Sequence, residues 1–138
     1  MAIRLVAVDL DGTLLTTHKH LTPETCRAVH RAAEQGICVA LCTGRMLPEC
    51  DFVLEALPEI RYTITSNGAM IRDLKEERIL RQRCLDPALS LELARRVQSC
   101  DGANMVYAGS GIWIDAERKK HLGRYLDPIL TVHGGRYY

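Results

Sequence analysis

The sequence predicts an α/β core followed by a smaller α+β unit, and two observations carry that expectation. Strand-like and helix-like segments alternate through residues 1–82, which is the pattern of a parallel sheet covered by helices. Residues 83–138 instead combine one helix with two short strands, which indicates a separate α+β unit. We therefore expect two domains, 1–82 and 83–138.

Apolar runs predict the strands. Residues 3–8 are apolar apart from Arg4, and such a continuous run is typical of a parallel strand buried on both faces. Further strands are expected at residues 37–41, 62–65, 69–73, 78–83, 103–108 and 111–115. Of these, 69–73 and 78–83 are expected to form a hairpin.

Helix boundaries are marked by capping residues. Thr22 followed by Pro23 is typical of a helix start, and Gly36 is typical of a helix end. A second helix is predicted over residues 46–57. A third begins at Asp86 and Pro87. Its predicted apolar stripe comprises Leu89, Leu93, Val97 and Cys100.

Composition argues against several function classes. The 138 residues carry 18 basic and 17 acidic side chains, and a net charge of +1 gives no field that attracts nucleic acid or membranes. No apolar stretch approaches the roughly 20 residues that span a bilayer, and Arg4 and Asp9 interrupt the first apolar run, so no signal peptide is expected. The six cysteines are expected to be buried, reduced thiols of a cytoplasmic protein. His18, His20 and Cys26 match no zinc spacing.

Two carboxylates follow the first predicted strand. Asp9 and Asp11 are one residue apart with Gly12 behind them, and Thr43 follows the second strand, where parallel sheets place their active sites. Asp9 can attack phosphorus to form an acyl-phosphate. Asp11 can protonate the leaving oxygen and then accept a proton from water. Gly12 permits a tight turn that brings N–H groups close to a phosphate.

This chemistry requires a cation. Two unit charges at about 4 Å and an effective dielectric of about 20 repel by roughly 4 kcal/mol, and a phosphate dianion roughly doubles that cost for an approaching carboxylate. Mg²⁺ that bridges the nucleophile and a phosphate oxygen removes the repulsion. Mg²⁺ is therefore the cofactor that we expect.

Three motifs resemble those of the haloacid dehalogenase superfamily. Asp9-Leu10-Asp11-Gly12-Thr13-Leu14 resembles its first motif, and Leu41-Cys42-Thr43-Gly44-Arg45 resembles its second. Ser66-Asn67-Gly68-Ala69 resembles a loop of the Cof-type branch, which contains sugar-phosphate and nucleotide-type phosphatases with a large cap. The resemblance runs from about residue 2 to about residue 125. It implies a partial Rossmann-like parallel sheet core followed by the start of an α+β cap domain.

The resemblance implies a role for each motif residue. Asp9 would be the nucleophile and a Mg²⁺ ligand, and Asp11 would be the general acid/base and bind Mg²⁺ through its backbone carbonyl. Thr43 and the Gly44 N–H would hold the phosphoryl group of a small phosphorylated metabolite. The substrate-binding residues expected are Leu10, Gly12, Thr43, Gly44, Arg45 and Asn67.

Plainer interpretations of the same residues stay open. The two aspartates can be turn carboxylates, and Thr43 can simply end its strand. Arg45 can form a salt bridge at the start of the next helix, and Asn67 can simply make a turn. A basic cluster can face an anionic substrate or be a solvated helix face. It comprises Arg118, Lys119, Lys120, His121 and Arg124.

The resemblance also has a gap. The family places a lysine and an acidic pair after the cap, and nothing here matches them, since no Gly-Asp-x-x-x-Asp occurs. The chain therefore resembles the first half of such an enzyme. We expect impaired phosphatase activity and a homo-oligomer that covers exposed edges. The alternatives are a non-catalytic remnant that acts as a binding module, and a phosphosugar mutase.

Overall fold

The computed structural model describes residues 2–108 and 111–114, which belong to two compact units, Met1–Arg83 and Cys84–Tyr138. Within the described residues, the first unit holds a five-stranded sheet and the second a two-stranded sheet. The first unit alternates strands with helices, so the predicted α/β fold class is confirmed.

The sheet of the first unit is parallel at one end and antiparallel at the other. Its strands are Leu5–Val8 (β1), Cys38–Cys42 (β2), Tyr62–Thr65 (β3), Met70–Asp73 (β4) and Arg78–Gln82 (β5). They lie in the order β1-β2-β3-β4-β5. β1, β2 and β3 run parallel, whereas β4 and β5 form the predicted hairpin and add to β3 antiparallel.

In the part of the chain that the structure describes, β1 lies at an edge of the sheet, and the prediction that it is buried on both faces was wrong. Among the described residues it pairs with β2 on one side and with no strand on the other. Ile3 and Leu5 are 70% and 54% exposed, and Val6 is exposed as well. Because side chains alternate along a strand, Leu5 and Val6 leave both faces of the sheet uncovered. An apolar run predicts a strand but not its place in the sheet.

Helix α1, Pro23–Glu34, packs against β2 and buries Val29 in the core. The Thr22 hydroxyl accepts a hydrogen bond from the Thr25 N–H at 3.2 Å, as expected of a helix cap. Gly36 follows the helix with a φ of +75°, which glycine adopts without strain. The core around it comprises Leu10, Leu14, Leu15, Val29, Val39, Leu41, Cys50, Val53, Leu57 and Ile60.

The single helix predicted over residues 46–57 is divided into two pieces. A 3₁₀ turn covers Leu47–Cys50, and a short helix, α2, covers Asp51–Ala56. The Glu49 carboxylate accepts a hydrogen bond from the Met46 N–H at 2.7 Å, and the Glu49 N–H donates to the Met46 carbonyl at 3.1 Å. These two bonds tighten the first turn, which explains the 3₁₀ geometry there.

The described part of the second unit contains helix α3, Pro87–Ser99, and the antiparallel strands β6, Met105–Ala108, and β7, Gly111–Ile114. Asp86 caps α3 by accepting hydrogen bonds from the Ala88 and Leu89 N–H groups. The predicted apolar stripe of α3 is exposed: Leu89, Leu93 and Val97 all have solvent-accessible side chains. The basic cluster at 118–124 lies outside the described residues. No described helix is long and apolar enough to cross a membrane.

No disulfide joins the six cysteines, all of which the structure describes. The expectation that they are buried is only partly correct. Cys50 is buried, and burial raises the pKa of its thiol to about 12. Cys84 and Cys100 are exposed, because they flank an α3 stripe that the described residues leave uncovered.

Candidate active site

The ends of the parallel strands bring the sequence motifs to one edge of the sheet. Val8 of β1 is opposite Leu41 of β2, and Cys42 of β2 is opposite Ile64 of β3. Adjacent strands are about 4.8 Å apart, so the loops after them are neighbours. The loops begin at Asp9, Thr43 and Ser66.

The loop after β1 folds back on itself through backbone hydrogen bonds. The Leu14 N–H donates to the Asp9 carbonyl at 3.2 Å, and the Leu15 N–H donates to the Leu10 carbonyl at 2.8 Å. Gly12 has a φ of +81°, a conformation that glycine adopts without strain. The Leu10 side chain is entirely buried in the core, so the expectation that Leu10 binds substrate is limited to its backbone.

The loops after β2 and β3 are joined by hydrogen bonds. The Thr43 N–H donates to the Ile64 carbonyl at 2.8 Å. The Ser66 N–H donates to the Arg45 carbonyl at 2.8 Å, and the Asn67 N–H donates to the Thr43 carbonyl at 3.3 Å. Ser66 and Asn67 both have positive φ, as in a tight left-handed turn. The Thr43 residue is buried, and its hydroxyl accepts the Arg45 N–H at 3.2 Å.

Gly44 allows the Asn67 side chain to approach the backbone of the neighbouring loop. A Cβ atom at position 44 would lie 2.9 Å from the Asn67 Oδ1 atom, closer than real contacts of this kind. The two motifs are therefore in direct steric contact. Asn67 itself is exposed, which leaves its amide available to a ligand.

Asp11 is bound by two cations. The Arg45 guanidinium donates from Nε to Oδ2 and from Nη2 to Oδ1, both at 2.8 Å. The Lys19 Nζ donates to the same Oδ1 atom at 2.6 Å. Hydrogen bonding by Arg45, supported by Lys19, lowers the pKa of Asp11 from 3.8 to about 2. Asp11 is therefore ionised at neutral pH in this arrangement.

No sequence signal predicts a role for Lys19, and for Arg45 the sequence allows either a salt bridge or a substrate contact. The structure places the Arg45 salt bridge on Asp11, 34 positions earlier in the chain. Lys19 reaches Asp11 because residues 16–20 make a turn in which the Thr16 N–H donates to the His20 carbonyl and the Lys19 N–H to the Thr16 carbonyl. Lys19 has a positive φ, which no local sequence signal marked.

Asp9 contrasts with Asp11. Its residue is exposed, and within residues 2–108 and 111–114 its carboxylate has no hydrogen-bond or ion-pair partner. In the same residues, no group of three or more His, Cys, Asp or Glu side chains is placed to hold a metal ion. The metal donors that the loop itself offers are thus the Asp9 carboxylate and backbone carbonyls, which are oxygen ligands suited to Mg²⁺.

The Asp11 ion pair is expected to stabilise the fold only above the ordinary pKa of an aspartate. Folding lowers the pKa of Asp11 from 3.8 to about 2. The stabilisation is therefore complete above the unfolded-state pKa of 3.8 and is lost as the pH falls through the folded-state pKa of about 2. The Asp11 side chain is 36% exposed, so screening limits the effect to about 1 kcal/mol.

Urea unfolding of the wild type and of Asp11→Asn checks this expectation. The difference in free energy of unfolding should be measurable at about pH 6 and fall to a small fraction of that value at about pH 2. A difference that stays the same at both pH values would contradict it.

Comparisons with known proteins agree with the motifs. The sequence model of a family described as haloacid dehalogenase-like hydrolase matches residues 6–128. The chain is similar to the 5-amino-6-(5-phospho-D-ribitylamino)uracil phosphatase YcsE of Bacillus subtilis, at 38% identity over 71 residues, or 51% of this chain and 28% of the relative. It is also similar to the HMP-PP phosphatase of Citrobacter koseri, at 38% identity over 87 residues, or 63% of this chain and 32% of the relative.

A solved structure of a haloacid dehalogenase-like hydrolase from B. subtilis has a TM-score of 0.77 and 28% identity to the chain. The similarity covers 97% of this chain and 47% of the solved one. The chain thus spans less than half the length of these curated relatives and about half of that solved chain.

Proposed function

Because the chain belongs to the haloacid dehalogenase-like hydrolases, we propose that it carries the nucleophile part of a Mg²⁺-dependent phosphatase site. The observation that carries this proposal is the meeting of three loops at one edge of a parallel sheet. The exposed Asp9 follows β1, and the hydrogen-bonded loops of Thr43 and Asn67 follow β2 and β3. Such an edge is where open α/β sheets bind ligands.

In the proposed reaction a carboxylate oxygen of Asp9 attacks phosphorus, and the bond from phosphorus to the leaving oxygen breaks. Asp11 gives a proton to that oxygen, and then takes a proton from the water that attacks phosphorus and frees Asp9. Thr43 and the Gly44 N–H hold the phosphoryl oxygens. Asp11 is ionised in the structure and both its oxygens accept hydrogen bonds from Arg45, so this role requires that Asp11 takes up a proton and parts from Arg45 after the substrate has bound.

Mg²⁺ would neutralise the charge between the nucleophile and the phosphate. The Asp9 carboxylate and the Asp11 carbonyl would hold it. This donor set fits a hard cation because the Asp9 carboxylate has no partner among the described residues. With so few protein ligands from this loop, we expect weak binding.

Millimolar Mg²⁺ is therefore expected to raise the unfolding temperature slightly, and Asp9→Asn to remove that rise. The substitution itself should be tolerated, because Asp9 is exposed. Asp51→Asn, which changes another exposed carboxylate, is the matched control. An unfolding temperature that does not respond to Mg²⁺, or one that falls by many degrees in Asp9→Asn, would contradict the expectation.

Phosphate binding tests the site independently of turnover. We expect inorganic phosphate, titrated by calorimetry, to bind the wild type and to bind Thr43→Val about tenfold more weakly, since one hydrogen bond to a charged group is lost. Thr63→Val is the matched control, because the Thr63 hydroxyl is buried and has no hydrogen-bond partner. Equal affinity in the two variants would count against the site.

The proposed substrates are small phosphomonoesters, including sugar phosphates, and no nucleic acid or membrane is part of the proposal. One relative is named for a phosphorylated ribityl compound, which is a small phosphoester of this kind. A non-catalytic binding module is the second candidate. It is favoured by the Asp11 carboxylate, whose two oxygens both accept hydrogen bonds from cations in the structure. Turnover by the chain distinguishes the two.

A further inference from the structure

The two cations on Asp11 are held very differently. The Arg45 side chain is 20% exposed and bonds both carboxylate oxygens in a planar fork, and its Nη1 also donates to the Glu49 carbonyl at 3.4 Å. The Lys19 side chain is 58% exposed and makes one contact, to Oδ1. An exposed ammonium on a flexible stem gives up such a contact at little cost, whereas a half-buried fork does not.

Lys19 is also linked to the proposed phosphate position by hydrogen bonds. Arg45 links the two places, since its backbone N–H donates to the Thr43 hydroxyl and its side chain holds Asp11. Lys19 is thus connected to Thr43 through Asp11 and Arg45 by a chain of hydrogen bonds. A phosphate dianion there would attract Lys19 more strongly than the single charge of Asp11 does.

We propose that Lys19 is a substrate-binding residue that leaves Asp11 for the phosphoryl group when a phosphomonoester binds, while Arg45 stays on Asp11. The move leaves Oδ1 with one partner fewer and places a positive charge on the phosphate. This inference rests on the proposed phosphate site.

The test is calorimetric titration of the chain with inorganic phosphate. Lys19→Met is expected to weaken binding about fivefold to tenfold, and Lys19→Arg to stay within about twofold of the wild type. Lys75→Met, which removes an exposed lysine in the β4–β5 turn, is the matched control and should not change the affinity. In addition, phosphate should shift the ¹⁵N resonance of the Lys19 ammonium in the wild type.

Equal affinities of Lys19→Met and Lys75→Met would overturn the inference and leave the Thr43 site intact. A weaker Lys19→Met with no shift of the ammonium resonance would also overturn it, since Lys19 would then act only through Asp11. A wild type that binds no phosphate would remove the proposed site itself and the inference with it.

Discussion

Alone, this chain is expected to hydrolyse p-nitrophenyl phosphate with Mg²⁺ at most about 10⁻² as fast as a full-length relative. Loss of one preorganised charge-stabilising group typically costs about 10²–10³ in rate. Neither the lysine nor the acidic pair that the family places after its cap has a match in this sequence. Such effects are not additive, so the figure is an upper bound on the rate.

The measurement compares the wild type with Asp9→Asn and with the Asp51→Asn control. The residual rate, if any, should disappear in Asp9→Asn alone. A fast wild type that Asp9→Asn inactivates would mean that this chain or a second copy supplies the other groups. The gap identified in the sequence would then not limit catalysis.

The second large expected effect concerns the oligomeric state of the chain. We expect the 15.5 kDa chain to form a dimer or larger oligomer through β1. Its edge exposes Ile3, Leu5 and Val6, and unpaired strands with apolar side chains associate readily. The other edge, β5, carries charged side chains at Arg78 and Arg81, which discourage such pairing.

Light scattering after gel filtration checks the assembly. Val6→Lys should reduce the mass to that of a single chain, because a lysine at the edge interferes with strand pairing. Leu80→Lys, a matched change at an exposed leucine of β5, should leave the oligomer intact. A wild type that elutes as a monodisperse 15.5 kDa species would refute the prediction.

Local patterns were sufficient to predict the strands and the loops that follow them. The apolar runs before Asp9 and Thr43 predicted β1 and β2, and parallel pairing then placed both loops at one edge of the sheet. The end of α1 followed from Gly36 in the same way. These features depend on residues within a few positions of one another, which a sequence displays directly.

The features that the sequence could not predict depend on distant residues. Burial of β1 is decided by what lies beside it, and not by the apolarity of Leu5 and Val6. Likewise, Asp11 is paired with Arg45 from another loop and with Lys19 from a turn that has no glycine at its positive-φ position. The catalytic and binding roles of these residues stay predictions.

The contact between Gly44 and Asn67 has a consequence for how this pair of loops can evolve. A side chain at position 44 would occupy the space of the Asn67 carboxamide, which lies 2.9 Å from the place of a Cβ atom. Because Asn67 is exposed, its side chain can rotate away from a larger residue at position 44. Glycine at 44 therefore sets the direction in which the Asn67 amide points, and a larger residue there should change which ligands the loop accepts.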